Sequence, residues 1–143
     1  MLLAACLAVW ALSLEAAAPA LPAKGSDLQV MTFHLSGQYT ASKTGIVKFN
    51  APFDLRILYV EVAIQAKGGT QGTSTVQVLN AGTGVTNAMD IGTPAAGTVV
   101  EATLTAAQQS VAKDAAITVD LVITGGTSPT IDNITVVIVT GRR

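Results

Sequence analysis

The sequence predicts an all-β protein: an eight-stranded antiparallel, jelly-roll-like β-sandwich preceded by an N-terminal hydrophobic arm. Three observations predict it. After Ser26, apolar and polar residues alternate in short runs, the pattern of strands with one buried face. Gly, Asn, Asp and Pro separate those runs, as turns require. No amphipathic helix of proper length appears in that region, and many short strands with Gly-rich turns pack as sandwiches or barrels. The composition agrees. Hydrophobic residues make up 50% of the 143 residues and charged ones 12%, against about 25% charged in an ordinary soluble domain.

The first 25 residues differ in kind and form the arm, with residues 26–143 as one β domain. Residues 2–14 are almost wholly apolar, yet too few to span a bilayer, which takes about 20 residues. Two readings stand. A retained arm or short helix, stopped by Pro19 and Pro22, would bury Leu3, Leu7, Trp10 and Leu14 against a neighbour. A signal peptide would be cleaved in the small-residue stretch near Ala23, although its positive start is missing. Leu3-Ala4-Ala5-Cys6 resembles a lipoprotein box, but nothing hydrophobic precedes it. Cys6 is the single cysteine, so no intrachain disulfide forms.

The strands follow in order. "LQVMTFHLS" (28–36) is the first and "GIVKFN" (45–50) the second, with Val47 and Phe49 on one face. Pro52 breaks the run before "LRILYVEVAI" (55–64), where Leu58, Val60, Val62 and Ile64 share a face. "KGGTQGTS" (67–74) reads as a flexible loop, followed by "STVQVLN" (74–80) with Val76 and Val78 inward. "VTNAMDI" (85–91) and "TVVEATL" (98–104) come next, each after a Gly-containing turn. "TAAQQSVAKDA" (105–115) has no strand period and suits a turn of helix or a wide connection. The segment 117–139, "ITVDLVITGGTSPTIDNITVVIV", then reads as a closing hairpin. Its inward rows are Ile117, Val119, Leu121, Ile123 and Ile134, Val136, Ile138.

Little reactive chemistry is present. His34 is the one histidine, and a lone strand histidine is ordinarily packed or hydrogen-bonded. The carboxylates are dispersed without a calcium-loop pattern. Asp120 and Asp132 flank the closing turn, where they could meet or stand solvated. No zinc spacing, nucleophile elbow or phosphate loop occurs. The reading is therefore no enzyme, no cofactor, no metal and no catalytic residue. With net charge −1 and no clustered basic face, direct nucleic-acid binding is not expected. Asn133-Ile134-Thr135 matches a glycosylation sequon, a pattern common by chance.

Apolar surface is what stands out. Val137 and Val139 oppose the inward row of their strand, and Val122 does so in the preceding one. Strands apolar on both faces are usually buried on both. A covering loop or a subunit interface would each account for them, and large exposed apolar patches commonly mark association sites.

The order of "GIVKFNAPFDLRILYVEVAI", a Gly/Thr loop, "STVQVLNAGTGV" and "LTAAQQSVAKDAAITVDLVITGGTSPTIDNITVVIV" resembles small jelly-roll virion proteins of tailed bacteriophages. These are the head decoration (cement) and fibre-type domains. Asn80-Ala81-Gly82 and Val111-Ala112-Lys113-Asp114 stand at the matching places, and the resemblance covers residues 38–140. It implies a non-enzymatic capsid decoration protein: a homotrimer on the capsid exterior that clamps the major capsid protein, with no membrane partner if the arm is retained. Two alternatives remain. One is a phage fibre or receptor-binding module using loops 67–74 and 81–97. The other is a secreted bacterial β-sandwich surface subunit whose mature chain starts near Lys24.

Overall fold

The structure, a computed structural model, describes residues 27–143. The expected arm, with Leu3, Leu7, Trp10 and Leu14, lies outside them. The all-β expectation holds. Strands β1 (Leu28–Tyr39), β2 (Lys43–Asn50), β3 (Leu55–Asn80), β4 (Thr83–Gly84), β5 (Met89–Asp90), β6 (Val99–Glu101), β7 (Ser110–Val111) and β8 (Ala116–Arg142) form one antiparallel sheet. Its spine runs β1-β8-β3-β4, with β2 also on β8, and β5, β6 and β7 on β3. A single 3₁₀ turn, Ala106–Gln108, occupies the stretch that lacks a strand period.

The count of eight matches the expectation, but the partition does not. Residues 117–139 are not a hairpin: they belong to one strand, β8, of 27 residues. Residues 67–74 are not a flexible loop either, because β3 runs through them for 26 residues. The two strands pair from Leu55↔Arg142 to Asn80↔Ile117. The reason is that the two Gly-rich stretches lie opposite one another. Gly68 pairs with Thr130, Gln71 with Gly126 and Thr73 with Thr124. What read as two turns is a single corner in a paired ribbon. Gly69, Gly125, Gly126 and Ser128 take positive φ there, and the register slips between Gly68 and Thr70, so the ribbon bends while its pairing resumes on both sides. Pro129 is tolerated at this irregularity because no regular ladder bond needs its missing N–H. The backbones press together. A Cβ on Gly72 would lie 2.1 Å from the Thr124 carbonyl oxygen, and one on Gly126 would lie 2.1 Å from that of Thr70.

The corner turns the ribbon back on itself. Arg56, near one end of β3, pairs with Ser110. Asn80, at the other end, donates its side-chain amide to the Ser110 carbonyl at 3.2 Å. In a straight strand Arg56 and Asn80 would be roughly 80 Å apart. Further bonds tie the returning ends: Ala51 N–H to Ala115 O at 3.0 Å, Asp114 N–H to Ala51 O at 2.7 Å, and Thr105 N–H to Val85 O at 2.7 Å. The two halves of the ribbon thus share one core. Val60, Val62, Val136 and Ile138 enter it from one half, Val76, Val78, Val119 and Leu121 from the other. Each fully buried Val, Leu or Ile contributes about 1.5–3 kcal/mol.

One expected face is wrong in phase. Leu58 does not join Val60, Val62 and Ile64; it is 42% exposed, and Ile57 is fully buried instead. A register shift between Ile57 and Tyr59 explains this. One extra residue on β3 lets Leu55 and Ile57 face the same core as Val60 and Val62. Between β1 and β2, which belong to different halves, Phe33 stacks on Phe49 with ring centroids 5.6 Å apart.

Candidate interaction surface

The polar residues singled out in the sequence lie along the paired strands. The His34 Nδ1 lies 3.1 Å from the Thr135 hydroxyl across the β1–β8 ladder. Asp120 accepts the Gly45 N–H at 2.7 Å and sits opposite Gln77. Asp132 sits opposite Ala66, on the other side of the corner from Asp120. Asn133 accepts the Gly37 N–H at 2.9 Å and donates to Gln65 at 2.6 Å, filling the irregularity between Leu35 and Gln38 in β1. Among the described residues, no group of three or more His, Cys, Asp or Glu is placed to hold a metal ion. Nor is any helix among them long and apolar enough to cross a membrane.

Of the stretches 67–74 and 81–97 expected as contact loops, the first is strand. In the segment after β5, Asp90 accepts the N–H groups of Gly92 at 2.8 Å and Thr93 at 3.1 Å. Hydrogen bonds from Thr93, side chain first, and then from Gly92 hold the Asp90 carboxyl below the usual carboxylate range, with the nearby Lys67 charge adding to this. The Lys67 ammonium donates to the carbonyls of Gly92 and Pro94. This segment is pinned from both sides.

Apolar chemistry gathers on the outward face of the half built from β1, β8, β3 and β6. Directly opposed residues of antiparallel strands point to the same face. Val139 lies between Val30 and Tyr59, and Val137 between Thr32 and Glu61. Their chain neighbours Val136 and Ile138 fill the core, so this strand is apolar on both faces, as read from the sequence. Around the two half-buried valines, Val30 is 63% and Leu28 61% exposed. The Leu58 side chain extends over Gly141, where a Cβ would come within 3.2 Å of its Cδ1 and 3.9 Å of Leu28 Cδ2. Leu28, Leu58, Val30, Val139 and Val137 therefore form one continuous strip. Val122 is not part of it. It pairs with Thr75 on the far side of the corner and is 39% exposed there.

Sequence reasoning found the two valines and missed Leu28, Val30 and Leu58. The signal for β1 was present: Leu28 and Val30 are in one phase, Met31, Phe33 and Leu35 in the other. The signal for Leu58 was not, because the bulge that turns it outward leaves no mark in the alternation.

The strip has an acidic margin. Glu61 and Glu101 are direct cross-strand partners, a like-charge placement that destabilises a sheet. The Tyr59 hydroxyl donates to Glu61 at 2.8 Å. That bond, then desolvation and the neighbouring Glu101, raise the Tyr59 phenol above its ordinary pKa. The phenol stays protonated and remains a donor to Glu61. On the opposite, inner side of β1, a groove of about 470 Å³ opens toward β2 over Met31, Phe33, Phe49 and Leu55. No family model, curated protein or solved structure matches the chain.

Proposed function

We propose that the protein is a non-enzymatic structural subunit of a virion, a capsid decoration (cement) protein of jelly-roll type that stabilises the head by bridging capsid subunits. The observation that carries the reading is the outward strip of Leu28, Val30, Leu58, Val137 and Val139. The other face of the same strands is already consumed by the core, so this apolar area has association as its use. Covering it contributes about 25 cal/mol per Å² of apolar surface removed from water. The dispersed carboxylates and the single, strand-bound histidine fit a role without catalysis. The partners under this reading are the major capsid protein and further copies of this chain, and the location is the capsid exterior. The fibre alternative loses its contact loop at 67–74, which is strand.

The test is mass spectrometry of the chain across a density gradient of its native source. Recovery in the particle band with the Met1 peptide intact is expected. Recovery only in the soluble or envelope fraction, with the chain starting near Lys24, overturns the virion reading and assigns the first residues to a signal peptide.

A further inference from the structure

The edges of the sheet are not alike. β2, an edge on β8, carries Lys43 and Lys48 and a register irregularity between Lys43 and Val47. β4, β5, β6 and β7, which border β3, are two or three residues long. Lysines, bulges and shortness are the devices that keep a sheet edge from pairing with another chain. β1 has none of them over its first eight residues. Among the described residues it pairs only with β8. The run "LQVMTFHL" (28–35) contains no Asp, Glu, Lys, Arg, Pro or Gly, and its bulge lies beyond it, between Leu35 and Gln38.

We infer that β1 is a self-association edge: two copies of this chain pair antiparallel through Leu28–Leu35 about a twofold axis at Met31, joining their sheets. Three observations favour a second copy over another strand. First, a twofold strand pair sets residues near the axis beside their own copies, so any charge there would meet its like. A charge-free strand is what self-pairing requires, and β1 is the charge-free edge. Second, the added strand must be apolar on both faces, to continue the outward strip and to cover the groove over Met31 and Phe33. β1 itself meets both demands, with Leu28 and Val30 outward and Met31, Phe33 and Leu35 toward the core. Third, the register is compatible. Opposed residues match faces when the axis passes through a residue, and an axis at Met31 sets Val30 opposite Thr32 and Leu28 opposite His34 of the second copy. The exposed Leu28 and Val30 of the two copies then close over one junction. Such an interface is isologous and closes at two copies.

The inference deepens the association reading above, with two copies in place of the three that the resemblance implies, and does not need the virion assignment. The gradient experiment and the following one fail independently. Light scattering after size exclusion on the full chain, from about 1 μM to about 1 mM, is expected to give a dimer mass. Thr32 is exposed, so Thr32→Lys leaves the fold intact by circular dichroism yet sets two ammonium groups diagonally across the axis, within reach of one another. The variant is expected to run as a monomer, and so is Thr32→Glu. Mixing the two variants is expected to restore the dimer mass, because the diagonal pair becomes opposite in charge. Hydrogen exchange at the outward β1 amides is expected to be slow in the dimer and fast in each variant alone. A monomer or trimer mass for the unmodified chain, a dimer indifferent to Thr32→Lys, or slow β1 exchange in a monomer each overturns the inference.

Discussion

Replacing Gly126 by alanine tests the corner on which the whole architecture turns. Gly125 and Gly126 are neighbours with φ of 71° and 80°. For either one, an alanine in the left-handed region costs about 1–2 kcal/mol, partly offset by about 0.4–1 kcal/mol from the less flexible unfolded chain. Beyond that they differ. A Cβ on Gly125 meets nothing nearer than the Gly72 Cα at 3.8 Å. A Cβ on Gly126 would sit 2.1 Å from the Thr70 carbonyl oxygen and 2.7 Å from the Gly72 nitrogen, both backbone atoms. Relieving that overlap requires the paired strand to move by about 1 Å, at a cost comparable to overpacking a core, about 1–3 kcal/mol. Gly125→Ala should therefore destabilise by about 1 kcal/mol or less, and Gly126→Ala by about 3 kcal/mol. Urea unfolding followed by circular dichroism compares the two midpoints, with unchanged slopes licensing the comparison. If the two variants agree within about 0.5 kcal/mol, the strands do not press together at this point. The bend would then need another cause.

Three further outcomes follow from local chemistry. Thr86 is buried, and its hydroxyl accepts the Val78 N–H at 3.0 Å. Thr86→Val keeps the shape but orphans that donor, so denaturant unfolding should show a loss of about 1–3 kcal/mol, whereas Thr86→Ser should retain most of the stability. Asp90 has its folded pKa depressed, so its contribution is present above the unfolded value of about 3.9 and disappears as pH falls through the folded value. Asp90→Ala should thus cost about 1 kcal/mol near neutrality, and thermal melts should show the difference shrinking in acid; a pH-independent difference would contradict the hydrogen-bond account. Tyr59 is one of two tyrosines, and its phenol is held up by Glu61, so an ultraviolet titration should show a late-ionising component that Glu61→Gln moves earlier and Tyr59→Phe abolishes.

The sequence spoke clearly about which side chains are inside and poorly about which strands meet. Ile117, Val119, Leu121, Ile134, Val136 and Ile138 are all buried, as period-two alternation demands, because burial is decided residue by residue. Pairing is decided elsewhere in the chain. A Gly-rich stretch such as "TGGTSP" looks the same whether the chain reverses there or bends alongside a partner. Only its alignment with "KGGTQG" more than fifty positions earlier distinguishes the two, and alternation carries no register between distant segments. The outward strip was half legible. Val137 and Val139 break the expected polarity of their face, but Leu58 reaches it through a bulge set by the β8 partner. The grouping of these residues, and the exclusion of Val122 from the group, follow from the corner.

The pairing of β3 with β8 also dictates when this protein can fold. β3 is complete at Asn80, but the strand that pairs along its whole length runs from Ala116 to Arg142. A ribosome delivering the chain in order therefore exposes β1 and β2 before β8, the strand they pair on, and leaves β3 with only the two- and three-residue strands β4–β7. Sheets dominated by such distant contacts fold slowly, and their unpaired edges are open to other chains while they wait. The 27 residues of β8 act as the closing element of the described sheet. Until β8 emerges the long strands hold only those short pairings, so the interval between synthesis of β3 and synthesis of β8 is when the protein most needs protection from its own copies.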